Sequence, residues 1–455
     1  VALTAQSDAD RARQRVEAPL TLSEPPPKVL GWLDQLGLWG NLGISLLGPV
    51  GAVFVLYPTA TAVLSLSAAL TAVVVGTVIG SVVLGIAAIP GARTGAPAMV
   101  LLRGSFGRTG SYLPTALNIV QLVGWTVFEI VVIAQAAAQL LPWHARTPYV
   151  VAAGALTTVM AVHPLGAVRV LRRYAIAATL LATAYLFVQL LRHHVTSPAH
   201  GGWSGFWLAV DYGVALAVSW VPLASDYTRH SRSESAAFGG AVIGYAVTQI
   251  ACLALGVVAL LTVVRASSDQ DLLAHDVFAA FIAVPVGWLA FALLVLRELD
   301  QSFADTYSTV VSMQNVAPRI SRVRLALVLG PVATVLALVL HIKDYQSFLL
   351  LIGSVFVPMF GVFAVDFFLF RRDRPWDVSD RAPVRWPLFG PWLVGFVVYQ
   401  LVNPGYVTWW AHLWQHAQTG LSFTPQPWMS ASLLSLATAA VLTAGIGVVQ
   451  RGVRR

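Results

Sequence analysis

From residue 36 onward, long apolar stretches alternate with short polar ones. Segments apolar and long enough to cross a hydrocarbon layer of about 30 Å as helices follow one another. They lie near 36–57, 61–89, 112–141, 148–162, 174–192, 205–225, 236–264, 285–313, 324–341, 345–370, 388–402 and 428–450. The pattern predicts an all-α polytopic membrane protein with twelve transmembrane helices. Residues 1–30 differ: they are polar, carry Pro25–Pro26–Pro27 and lack an apolar core, which predicts a disordered tail and not a signal peptide.

Two of these spans are not built as continuous helices. In the first, Trp39 to Gly51 holds Gly40, Gly43, Gly48, Pro49 and Gly51. Gly and Pro weaken the backbone ladder, so an unwound centre is expected whose bare carbonyls and N–H groups can hold an ion or a polar ligand. The competing reading is a kink that only eases packing. The sixth span places Ser219, Trp220 and Pro222 in mid-membrane, a second break, five spans later and in the opposite direction. Interrupted helices in corresponding positions of two inverted halves point to the central site of a transporter. Asp226 and Arg229 at its end are expected to cap a helix or pair in a loop.

Two other spans are continuous but carry polar stripes. At about 100° per residue, Arg297, Glu298, Gln301, Ser302, Asp305, Ser308 and Thr309 share one side of span 8, with Asp300 and Tyr307 opposite. Charges in hydrocarbon face a cavity or a partner, and usually line a path. The plainer reading is a pair of Arg297 with Asp300 or Glu298 that staples helices together. In span 3, Gln121, Trp125 and Glu129 are spaced i, i+4, i+8 and share a face. A large π face beside an amide and a carboxylate suits a flat, nitrogen-rich heterocycle, although a tryptophan alone would more simply pack or face lipid.

Composition agrees with the pattern: 57 % of the 455 residues are apolar and only 11 % are charged. Charge adds direction. Of 28 Lys and Arg, 23 fall in the tails and in the loops that one assignment makes cytoplasmic; four fall in the opposite loops and Arg297 lies within a span. This asymmetry predicts both termini in the cytoplasm and an inner (plasma) membrane location. It also explains the net charge of +8 without a nucleic-acid partner. The single cysteine, Cys252, excludes a disulfide framework.

The Gly76–Gly80 and Gly240–Gly244 spacings read as packing faces. His412 and His416 have metal-like spacing but no third ligand, and a Trp-rich interfacial belt is the better reading. Asp366, just before Arg371–Arg372, is expected to anchor that loop. No metalloprotease His-Glu-x-x-His, Gly-x-Ser-x-Gly or phosphate-binding Gly-rich loop occurs, so an enzyme is poorly supported and no cofactor is implied. A non-coupled channel would need polar linings along several spans, whereas polarity concentrates in spans 3 and 8.

Four stretches together resemble the nucleobase–cation symporter family that includes the purine–cytosine permeases: Gly91–Gly110, Gln121–Glu129, Ser219–Arg229 with its Asp-Tyr-Thr-Arg, and Asp305–Asn315. The Gly-Val-Phe-Ala-Val-Asp-Phe-Phe run at 361–368 is similar to the family's tenth span. The resemblance covers about 90–370. It implies the leucine-transporter fold, two inverted five-helix repeats plus two further helices. It also implies a substrate held between broken helices 1 and 6 and intact helices 3 and 8. By motif position Trp125 resembles the family's stacking tryptophan. Glu129 and Asp305 stand where amides are usual, which favours donor-rich substrates. Leu299 and Asp300 replace the hydroxyl residues that sodium-coupled relatives present, so an altered sodium site or a proton is expected.

The sequence therefore predicts a secondary transporter importing a nucleobase or related heterocycle (cytosine/purine class) by symport with Na+ or H+. An importer of hydroxymethylpyrimidine, allantoin or hydantoin-like compounds is the alternative. Substrate-binding candidates are Gln121, Trp125, Glu129, Ser219, Trp220, Gln301 and Asp305. Ion-coupling candidates are Asn41, Gly43, Ser45, Asp300 and Ser302. Residues 31–370 form the expected core, divided at about 31–192 and 205–370, and 371–455 add a cytoplasmic loop, two accessory helices and a short tail. The lipid bilayer is the expected surrounding, and the sequence leaves the oligomeric state open.

Overall fold

The computed structural model describes residues 26–452 apart from 60, 143–144, 163–167, 193–194, 196–197, 199, 263–269, 314, 318–319 and 371–375. Among the described residues the chain is helical, with two isolated bridges, Leu30–Ser231 and Leu64–Gly202. In order the helices are α1 (Trp32–Leu42), α2 (Leu47–Leu56), α3 (Leu66–Thr94), α4 (Ala98–Phe106), α5 (Tyr112–Leu140) and α6 (Arg146–Val162). Next come α7 (Val168–Leu191), α8 (Phe206–Val218), α9 (Ala224–Thr228), α10 (Glu234–Thr262), α11 (Gln270–Ala283) and α12 (Gly287–Met313). The last are α13 (Arg322–Val339), α14 (Ile342–Val365), α15 (Phe389–Val402), α16 (Thr408–Gly420) and α17 (Ala431–Gly452).

Every predicted span has a helix at its position. Among the described residues, six spans are long and apolar enough to cross a membrane unaided, including α8 and α9 taken together as Phe206–Thr228, and α1 with α2 makes a seventh that bends by 65°. Shorter apolar helices occupy Ala177–Leu191, Val323–Val339 and Trp386–Val402. The distribution of polarity is inverted relative to a protein surrounded by water. Val74 and Val78 on α3, Val328 and Val335 on α13, and Val441 and Val448 on α17 are exposed, while Arg297, Glu298 and Asp305 are buried.

The small-residue faces pack as expected. A Cβ on Gly76 would stand 2.4 Å from the Val210 carbonyl of α8, and one on Gly244 would stand 2.5 Å from the Leu36 carbonyl of α1. Backbones at that separation admit only glycine.

Several expectations need correction. Helices α4, α11 and α16 lie in segments expected to be loops, and α7 already begins at Val168. Each of α4, α11 and α16 is too short to register as a spanning apolar run, and tertiary contacts hold them. Asp226 shows how: its Oδ1 accepts the Ala98 N–H at 2.9 Å and so caps α4, a helix distant in sequence. The end of the expected disordered tail is docked. Lys28 Nζ donates to the Ala92 carbonyl at 2.5 Å, and Leu30 exchanges backbone bonds with His230 and Arg232. Residues 1–25 lie outside the described residues.

The end of the bundle rich in basic residues is tied shut. Arg103 donates to the Asn315 side chain at 2.6 Å and to Asp380 at 2.7 Å. Asp366 anchors the following loop as expected, holding Arg385 at 2.5 and 2.9 Å. His412 and His416 are exposed on α16 beside Trp409, and no group of three potential metal ligands is found among the described residues.

Candidate functional site

Between α1 and α2 the backbone leaves helical geometry, and its polar groups need partners from elsewhere. They find them on α12. Arg297 Nη2 donates to the Asn41 carbonyl at 2.6 Å and Nε to the Asn41 side chain at 3.1 Å. Gln301 Nε2 donates to the carbonyls of Leu42, at 2.8 Å, and Ile44, at 3.1 Å. Glu298 accepts from the Ser45 hydroxyl at 2.6 Å and from the Leu46 N–H at 2.8 Å. The polar stripe of span 8 thus matches the broken segment bond for bond. Arg297 and Glu298 do staple helices, and they do so through the break.

The second interruption is milder. After Val218 a 3₁₀ turn over Val221–Leu223, with Pro222 inside it, leads into α9, and the whole runs on as one span of 23 residues. Here the orphan groups are few. Ser219 Oγ and the Tyr245 hydroxyl both donate to the Leu216 carbonyl, at 2.7 and 3.1 Å. Gln121 Nε2 donates to the Ser219 carbonyl at 2.8 Å.

A cavity lies where the two breaks meet α5, α10, α12 and α14. Its aromatic wall is Trp125, Trp220, Tyr245 and Tyr345. Trp125 is braced edge-on by Tyr345 and Phe348, with ring centroids 5.8 and 5.5 Å away, and Trp220 by Trp39 at 6.3 Å. Its polar wall is Ser45, Glu129, Ser219, Gln249, Gln301 and Asp305. Glu129 of α5 and Asp305 of α12 face the same cavity, and their carboxyl groups interact across it. Among the described residues, the lining atoms Gln249 Oε1, Gln301 Oε1 and Asp305 Oδ2, and the Tyr345 hydroxyl, have no hydrogen-bond partner in the protein. Unpaired acceptors in a closed cavity are costly unless a ligand supplies donors, so the wall suits a ring that carries N–H groups.

Trp125, Glu129, Ser219, Trp220, Gln301 and Asp305 therefore converge, as do Gly43 and Ser45. Gln121 and Asn41 do not line the cavity: Gln121 is bonded to the second break, and Asn41, beside the first, is bonded to Arg297. The side chains of Asp300 and Ser302 lie outside the described residues. Sequence reasoning passed over Gln249, Tyr245 and Tyr345. Gln249 carried a usable signal, an amide in the middle of an apolar span. The tyrosines carried none, since aromatic residues at helical spacing are ordinary core.

A comparison of the sequence with curated proteins finds no match. Solved structures are similar in fold. Mhp1, a nucleobase-cation-symport-1 family transporter, closed with bromovinylhydantoin bound, matches with a TM-score of 0.70 and 16 % identity over 94 % of this chain and 95 % of that one. Its inward-facing conformation matches with a TM-score of 0.74 and 16 % identity over 95 % and 94 %. A manganese transporter of Eremococcus coleocola, in complex with an aromatic bis-isothiourea compound, matches with a TM-score of 0.58 and 13 % identity over 94 % and 99 %. These likenesses show the fold expected from the sequence, and cargo as different as a metal ion and a hydantoin warns against reading cargo from it. Sequence decides the family: residues 52–375 match the permeases for cytosine/purines, uracil, thiamine and allantoin, and the chain belongs to this family of membrane transporters.

Proposed function

We propose that the chain imports a nucleobase or related heterocycle across the plasma membrane by cation symport, with both termini cytoplasmic. In this reading 31–192 and 205–370 are inverted repeats around the cavity, and 371–455 supply the accessory helices. The observation that carries it is the cavity itself. Two braced indoles, Trp125 and Trp220, offer π faces, and the oxygens of Glu129, Asp305 and Gln301 offer acceptors, at the meeting point of two interrupted helices. Stacking orients a flat ring and the acceptors read its edge.

One observation favours the alternative cargo within this class. The acceptors outnumber the donors, which suits rings with several N–H groups, such as hydantoin or allantoin, over purines with bare ring nitrogens. A competition uptake panel of unlabelled purines, pyrimidines, allantoin and hydantoins in vesicles separates the two. Trp125→Ala should weaken binding of the transported compound by about 1–3 kcal/mol, by analogy with base stacking on aromatics, and Trp125→Phe by less. Unchanged affinity in Trp125→Ala at normal expression removes this residue from the site.

A further inference from the structure

Resting on the transporter reading above, we propose that Glu129 and Asp305 form a proton-carrying pair that couples uptake to the proton gradient. Two buried carboxyl groups that face one small cavity repel each other if both are ionised, so they hold a proton between them. The pair joins two intact helices, and both residues are buried, with 4 % of Glu129 and 3 % of Asp305 exposed. The pair does not stand alone. Gln301, only 2 % exposed, and Gln249, only 3 %, line the same cavity, and each has an amide oxygen without a donor. The cavity is therefore laid out to receive donors, both from a ligand and from solution.

The break in the first span, where a metal ion would find bare carbonyls, is already served by the chain itself. Arg297 and Gln301 donate to the carbonyls of Asn41, Leu42 and Ile44, and the Ser45 hydroxyl is directed to Glu298. A metal ion coordinated there must displace a guanidinium and an amide. Charge balance leads to the same place. Among the described residues, the titratable groups around the pair are Glu298 of α12, Tyr245 of α10 and Tyr345 of α14, and Arg297 and Cys252 neighbour Glu298. Tyr227 of α9 lies beyond them, bonded to Ser308. Arg297 and Glu298 cancel. With one shared proton the pair carries one negative charge, and with a second it is neutral. A neutral occluded site crosses the low-dielectric interior at least cost. On loading, one O–H bond forms on a carboxylate oxygen with a proton from the outer solution. On the opposite side that bond breaks and the proton passes to cytoplasmic water.

Two measurements on the full-length protein in lipid test this. Infrared difference spectra at neutral pH between wild type and Glu129→Gln or Asp305→Asn should show a protonated-carboxyl C=O band lost in each variant, unaffected by replacing Na+ with choline. Glu298→Gln should leave that band in place. The readout needs no substrate and uses only protein shown monodisperse by size exclusion. Absence of the band in wild type overturns the proposal. In proteoliposomes holding a trapped pH dye, cytosine, uracil, allantoin or hydantoin, whichever the panel identifies, should enter with internal acidification, driven by an acid-outside gradient. In both pair variants the acidification should fall to the level of empty liposomes. Accumulation that follows a Na+ gradient and ignores pH overturns the proposal while leaving the cargo reading intact. The band present with none of the four compounds bound overturns the cargo reading and sustains the pair.

Discussion

At the first interruption the chain turns by 65° between α1 and α2 and gives up the carbonyls of Asn41, Leu42 and Ile44 to another helix. At the sixth span the helix tightens through Val221–Leu223 and continues along one span, giving up the Ser219 carbonyl to Gln121 and sharing the Leu216 carbonyl with Tyr245 of α10. Each break is served by a glutamine of an intact helix, Gln301 on α12 and Gln121 on α5. Only the sharper break also recruits a buried Arg and Glu. A tightened turn re-satisfies part of its own backbone, as Ser219 Oγ does at Leu216, and imports less, whereas an open bend must import its partners. How polar a neighbouring span must be thus follows from how far the break departs from a helix.

The largest effect should come from Arg297. Arg297→Met leaves the Asn41 carbonyl with only the Ile44 N–H, at 3.3 Å, and Glu298 without its neighbouring cation, and should cost about 3–5 kcal/mol, as when one partner of a buried pair is removed. Thermal unfolding in detergent measures it. Adding Glu298→Gln should recover part of the loss, and no recovery would show that the pair does not act as a unit.

Next comes the contrast between the two glutamines. Gln301→Ala uncovers two backbone carbonyls and should cost about 1–3 kcal/mol, while Gln121→Ala uncovers one backbone carbonyl and the Asn118 side-chain oxygen and should cost less. An equal or larger loss at Gln121 would break the comparison, because the sixth span would then depend on imported partners as much as the first. The smallest effect belongs to Ser219→Ala. The Leu216 carbonyl keeps the Tyr245 hydroxyl, so the loss should stay within about 0.5 kcal/mol in the same assay.

The number of spans and the positions of the breaks were legible in the sequence because hydrocarbon leaves little freedom. A span must be apolar over its length, and a Gly- and Pro-rich stretch inside one, such as Gly40–Gly51, cannot hold a continuous ladder. Trp125, Glu129, Gln301 and Asp305 were legible for the same reason, since polar groups in mid-span need a cavity or a partner. The pattern did not say which of those two each would find. Gln121 and Gln301 look alike along the chain, yet only the second lines the cavity. Asp226 reads as a helix cap and is one, but the pattern did not say that the helix is α4, more than a hundred residues earlier. Helices α4, α11 and α16 are too short to announce themselves by hydropathy. Periodicity specifies which face of a helix is polar, a local property of about 100° per residue. The partner of that face depends on how several helices cross. Only the packed structure brought Glu129 of α5 against Asp305 of α12 and set Arg297 on the open carbonyl of Asn41.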